Sequence, residues 1–148
     1  MKIAIRVDAS SAMGTGHLMR CRTLARAHQE RGARIQFVCR ALPGHLIPEL
    51  EAEGFPVSVL PNPQSDAGPR EENYRSWLGV SPQQDARDTV DALSTPVDWL
   101  IEDHYALGRE WETLCRAQAN KIFVIDDLAN RHHDADLLLD QNYSIAGA

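Results

Sequence analysis

The chain has 148 residues, 43% hydrophobic and 24% charged, with 15 Lys and Arg against 21 Asp and Glu for a net charge of −6. This suffices for one compact α/β domain but not for two, and an acidic balance without a basic run to track phosphates argues against a nucleic-acid partner. Charges at Lys2, Arg6 and Asp8 interrupt the amino-terminal apolar stretch, so neither a signal peptide nor membrane insertion is expected, and a cytoplasmic protein is.

In chain order, residues 2–7 are short, apolar and β-branched, and predict a strand. Leu18, Cys21, Leu24, Ala25 and His28 recur at helical steps and predict a helix closed by Gly32. A strand at 34–39, a helix from His45 to Glu53 before Gly54, and a strand at 56–60 follow. Pro61 to Ser76 reads as a surface loop. Beyond it come a helix from Pro82 to Leu93, a strand at 98–102, a helix from Gly108 to Ala119, and strands at 121–125 and 137–139. Strands alternating with helical segments imply a parallel sheet, and right-handed crossovers make it a doubly wound, Rossmann-like α/β fold. Cys21, Cys39 and Cys115 are odd in number and widely spaced, which suits core residues in a reducing compartment better than disulfides or a zinc site.

Such sheets bind ligands beyond the carboxyl ends of their strands. After the first strand comes Asp8-Ala9-Ser10-Ser11-Ala12-Met13-Gly14-Thr15-Gly16-His17, a small-residue loop opening into a helix. Gly14 and Gly16 allow close backbone approach, and the free amides at the helix start attract anions such as phosphate, although the spacing is not the dinucleotide fingerprint. The positive end of the helix dipole disfavours imidazolium at His17, which suits a general base. The plainer alternative is a histidine bonded to its loop. Arg20, one turn on, faces solvent or a phosphate, with solvent the favoured side. After the fourth strand, Asp103, His104 and Tyr105 could fix sugar hydroxyls and stack on a ring. Asp126-Asp127 and His132-His133-Asp134 invite a metal reading, but they lack helical ligand spacing and read more simply as a solvated loop.

Together, Arg6-Val7-Asp8-Ala9-Ser10, Gly14-Thr15-Gly16-His17-Leu18-Met19-Arg20-Cys21, Trp77-Leu78-Gly79-Val80, Asp103-His104-Tyr105, Ile125-Asp126-Asp127-Leu128 and Asp140-Gln141-Asn142 resemble the PseG family. Those proteins are UDP-2,4-diacetamido-2,4,6-trideoxy-β-L-altropyranose hydrolases of pseudaminic acid biosynthesis, related to SpsG-type spore-coat polysaccharide proteins. The resemblance implies a GT-B architecture, with residues 1–148 forming its amino-terminal Rossmann-like domain. It also implies a carboxy-terminal domain, absent from this chain, that holds most of the UDP, so that this domain alone is expected to be inactive. The family's catalytic histidine falls on His17 and its active-site tyrosine on Tyr105. Water would attack the anomeric carbon with inversion, and no metal or cofactor is expected. Asp8, Gly14, Thr15, Gly16, Arg20, Asp103, His104 and Asn142 are the candidates for substrate binding.

Two other classes use the same features: a GT-B glycosyltransferase serving an acceptor, and a non-catalytic sugar-binding or assembly module. A lipid-acceptor groove would carry an apolar patch with basic neighbours, and residues 61–82 hold no such cluster. A binding module has no need of a histidine at a helix start. A receiver domain is weaker still, lacking an acidic pair directly after the first strand.

Overall fold

Each apolar run read as a strand is one in the computed structural model, which describes residues 1–62 and 74–141. The elements are β1 (Lys2–Val7), α1 (Gly16–Glu30), β2 (Arg34–Arg40), α2 (Ile47–Ala52), β3 (Val57–Leu60), a 3-10 turn (Tyr74–Leu78), α3 (Pro82–Ala92), β4 (Val97–Asp103), α4 (Arg109–Cys115), β5 (Ala119–Ile125) and β6 (Leu137–Leu139). Most of the expected loop from Pro61 to Ser76 lies outside the described residues; its end forms the 3-10 turn.

Two helices are shorter than their spacing predicts. Pro48 sits in the first turn of α2, and the His45 ring accepts the amide of Ile47 at 3.2 Å, so the helix starts at Ile47 rather than His45. In α4 the helical pattern runs on to Ala119, but the helix ends at Cys115. Ala119 pairs with Val97 in the sheet, and the Val97 amide donates to the Gln118 carbonyl at 2.8 Å. A small apolar residue satisfies either period, and here the sheet pairing wins.

The sheet is parallel throughout, in the order β3-β2-β1-β4-β5-β6. Chain direction across it reverses between β1 and β4, the switch point at which Rossmann-like sheets open a crevice. This α/β arrangement is the one expected, and it is consistent with the amino-terminal domain of a GT-B protein. Alternate residues of each strand feed two cores. Ile3, Ile5, Val7 and Ile101 pack with Leu18, Cys21, Ala25 and Leu50 of α1 and α2. Ala4, Leu100, Ile122 and Val124 pack with Leu93, Trp111 and Cys115 on the α3 and α4 side.

That second core contains ions. Arg6, wholly buried, donates from Nη1 to Asp8 Oδ1 at 2.7 Å, from Nη2 to Asp8 Oδ2 at 3.0 Å, and to both carboxylate oxygens of Asp85 on α3 at 3.0 and 2.6 Å. Arg40 at the end of β2 joins Asp85 at 2.9 Å and Asp88 at 3.0 Å, and Trp111 Nε1 donates to Asp85 at 2.9 Å. Charges in an apolar interior are tolerated only when paired and fully hydrogen-bonded, and here the carboxylates serve the planar guanidinium two oxygens at a time. Burial pushes the Asp8 and Asp85 carboxyls up, yet Arg6, with His104 beside Asp8 and Arg40 beside Asp85, more than reverses this and holds both below the ordinary 3.8.

A folded-state value below the unfolded one stabilises the protein above the unfolded value, and the contribution disappears as pH falls through the folded one. The contribution of Asp8 and Asp85 is therefore expected to be level near neutrality and to be lost steadily below about pH 5, read as the difference in unfolding free energy between the chain and Asp85→Ala in chemical denaturation. Asp85→Ala, which leaves two buried guanidiniums short of a partner, is expected to cost about 3–5 kcal/mol at neutral pH. A loss below about 1 kcal/mol, the range of exposed pairs, would show that the network is not a support of the fold.

Candidate active site

The loops after β1 and β4 meet at the switch point. The first is braced rather than loose: Ser10 and Gly14 exchange backbone hydrogen bonds, and the Met13 amide donates to Ser10 Oγ. Gly14 has φ +79°, a conformation that side chains disfavour. The Ser11 amide donates to the Pro43 carbonyl at 2.8 Å, and a Cβ at Gly44 would stand 2.7 Å from Ser11 N, so the β2–α2 loop buttresses this one. Gly14, Thr15 and Gly16 are exposed, Gly16 has open space where a side chain would stand, and no side chain caps α1.

His17, second residue of α1, is mostly buried and turns its ring toward the end of β4. Its Nδ1 lies 2.6 Å from Asp103 Oδ1, and its ring meets Tyr105 edge-on at 4.5 Å. Asp103, fully buried, is also gripped by Arg20 through Nε and, at 2.5 Å, Nη2, and receives the Cys21 thiol at 3.5 Å. Burial works against its ionisation, but hydrogen bonds from Arg20 and then His17 keep its carboxyl below the ordinary range. An ionised carboxylate only accepts, so the proton between it and the ring sits on His17 Nδ1. The 3.2 Å approach of Arg20 Nη2 to the same nitrogen is then a contact and not a donated bond. The arrangement leaves the Nε2 lone pair of a neutral ring to accept a proton, oriented by a carboxylate behind it, the geometry of a general base and its orienting partner.

Arg20 does not point to solvent as favoured from the sequence. It turns inward to Asp103 and reaches Gln141 Oε1 at 3.2 Å. Tyr105 donates its hydroxyl to Asp127 Oδ1 at 2.5 Å, and its ring lies 6.4 Å from that of Trp77. Burial and then Asp127 push the phenol up to about 12. His17, Arg20, Asp103 and Tyr105 thus come together beside the exposed Gly14, Thr15 and Gly16. Asp8 and His104 do not reach that open edge. Asp8, 1% exposed, belongs to Arg6 and also accepts the Arg40 amide at 2.8 Å; His104, 0% exposed, faces Asp8 with Nε2 at 3.5 Å. Asn142 lies outside the described residues.

Three contributors, Trp77, Asp127 and Gln141, stand in the motifs read from the sequence but not among the residues it proposed for catalysis or binding. Asp127 and Gln141 follow strands five and six, so strand-end position was their available signal. The loop of His and Asp after β5 is not merely solvated. His133 lies between Glu112, 2.8 Å from Nδ1, and Asp126, 2.8 Å from Nε2, while Arg131 donates to Asp126 at 3.2 Å. An open cleft of about 680 Å³ beside Tyr105 is lined by Arg109, Trp111, Asn130, Arg131 and His132. An apolar cavity of about 420 Å³, lined by Met1, Ile3, Trp99, Phe123 and Leu137, lies at the opposite end of the strands from His17.

Among curated proteins the chain is similar to the UDP-2,4-diacetamido-2,4,6-trideoxy-beta-L-altropyranose hydrolase of Campylobacter jejuni subsp. jejuni serotype O:2. The two are 28% identical over 143 residues, covering 96% of this chain and 42% of that relative. The chain therefore spans less than half the length of the relative it matches. No family model matches the chain. The resemblance read from the sequence motifs is the same one that this comparison finds.

The hydrogen bond from His17 to Asp103 has a direct spectroscopic test. In nitrogen-resolved NMR at pH values where imidazoles are neutral, His17 is expected as the Nδ1–H tautomer, and Asp103→Ala should shift it toward Nε2–H. An Nε2-protonated His17 in the unsubstituted chain would refute the orientation described.

Proposed function

We propose that this chain is the base-carrying, amino-terminal domain of a two-domain enzyme that hydrolyses UDP-2,4-diacetamido-2,4,6-trideoxy-β-L-altropyranose in pseudaminic acid biosynthesis. The observation that carries the reading is the Asp103-held imidazole of His17 beside an exposed glycine loop at the switch point. The motif resemblance and the name of the Campylobacter relative supply the substrate.

In the reaction, water attacks the anomeric carbon as His17 Nε2 takes its proton. A new carbon–oxygen bond forms on one face while the bond to the UDP oxygen breaks on the other, giving inverted sugar, UDP and an imidazolium that Asp103 stabilises. Release of the proton to solvent restores the base. Both Asp103 oxygens are engaged by His17 and Arg20, so this carboxylate acts through the ring and not as a cation ligand. Tyr105 offers an aromatic surface to the sugar, and the exposed amides from Gly14 to Gly16 suit its polar groups or the diphosphate. A second domain, of the kind for which the longer relative has room, supplies most of the contacts to UDP. Transfer to a larger acceptor would need an opening beside His17 that admits more than one water.

The test is UDP release from that sugar nucleotide by this chain, by the chain joined to a carboxy-terminal UDP-binding domain, and by variants of the joined protein. Activity is expected only in the joined protein, with no need for added divalent cation. His17→Ala should lower kcat by roughly 10²–10⁴-fold, the usual worth of a general base. Asp103→Asn should lower kcat by up to about 10⁴-fold through loss of the correct tautomer. Full turnover in the His17→Ala protein would overturn the reading, and UDP release only when an acceptor is added would make the protein a transferase.

A further inference from the structure

On the α4 side of the sheet, away from His17, is a second polar cluster for which the proposed reaction has no use. Glu102 precedes Asp103 in β4 and therefore projects from the opposite face. It is 0% exposed, and neither of its carboxylate oxygens has a hydrogen-bond partner. Glu112 of α4, also 0% exposed, and His133 of the β5–β6 connection stand with it: one oxygen of each glutamate and one ring nitrogen lie within 4.8 Å of one another. A buried carboxylate without a donor is costly. The other members are well provided: Glu112 Oε1 accepts the Asp134 amide at 2.7 Å, and Asp126 lies 2.8 Å from His133 Nε2 with Arg131 behind it. Of these side chains, Glu102 is the one whose oxygens are left without a donor.

We propose that Glu102, Glu112 and His133 bind one Zn²⁺ ion that fastens the β5–β6 connection to β4 and α4. One imidazole and two carboxylates are the donor set of a borderline cation with low coordination number, and a water completes the tetrahedron. Asp126 holding His133 Nε2–H is the carboxylate–histidine support that orients a metal-bound ring. Bonds of about 2.0–2.2 Å in a tetrahedral site set ligand atoms about 3.3 Å apart. The 2.8 Å contact between His133 Nδ1 and Glu112 Oε2 must open by about half an ångström, and Glu102 must close in, a side-chain adjustment in each case. The proton at His133 Nδ1 leaves to solvent as the ion enters. The ion would hold structure and touch no reacting atom, since Asp103 and His17 face the other side of β4.

Zinc titrated into the 148-residue chain, followed by calorimetry and thermal unfolding, is expected to bind one ion per chain and raise the unfolding midpoint, with Mg²⁺ failing to compete. Glu102→Gln keeps the shape of the buried side chain and should abolish the tight site. Asp126→Asn should weaken it by about 10–100-fold. His132→Asn, which removes an exposed neighbouring imidazole, should leave it unchanged. Co²⁺ in place of zinc should give the intense visible absorption of a four-coordinate site, lost in His133→Gln. No tight zinc binding, undiminished binding in Glu102→Gln, or binding lost with His132 would each overturn the proposal. None of these readouts depends on UDP release, so the proposal and the hydrolase reading can fail separately.

Discussion

A guanidinium with no access to water holds the centre of this domain. Arg6 is in the strand from which the sheet is wound in both directions, and its two carboxylate partners lie in different elements, Asp8 at the end of β1 and Asp85 on α3. Through Asp85 the same network reaches Arg40 on β2 and Trp111 on α4. A hydrophobic contact can slide; a fork of directed bonds in a dry interior cannot do so without exposing a charge. The carboxyl ends of β1 and β2 and the first turn of α3 are therefore held in one relation, and the loop that delivers His17 begins at a fixed point.

The site above repeats this arrangement at the surface. Asp103 accepts from two residues one turn apart on α1, and the helix is thereby tied to the end of β4 across the switch point. Arg20 compensates the buried charge of Asp103, and Asp103 in turn settles which nitrogen of His17 carries the proton. The imidazole of His17 is set in place with no ligand bound, the preorganisation on which the proposed reaction would draw.

Much of the fold was legible because buried parallel strands are short β-branched runs and α1 keeps a clean period. For His17 the sequence offered two readings, a general base and a histidine bonded to its loop; its place after the first strand put it at the switch point, and the family resemblance favoured the first. Arg20 was misread because spacing says which face of a helix a residue occupies, not which distant carboxylate waits there; its partner lies 83 residues away. Asp8 and His104 were grouped with the open edge because they follow strands. Their even-numbered register places them with Arg6 on the inner face, but when both faces of a sheet are buried, polarity does not mark which is which. Glu102 carried a weak signal: a carboxylate inside an apolar strand implies a partner or a proton, and sequence does not say which.

The adjacency of Glu102 and Asp103 makes β4 unequally tolerant of different kinds of change. A substitution at Asp98, which is exposed, alters a surface. Deletion of a single codon between Val97 and Ile101 would exchange the sides on which the two carboxylates emerge. Asp103 would turn to the α4 side, and His104 would stand where His17 and Arg20 now meet their carboxylate. Lineages carrying this domain should therefore vary in the composition of the strand while keeping its length, and gaps in their alignments should fall in the connections on either side of it.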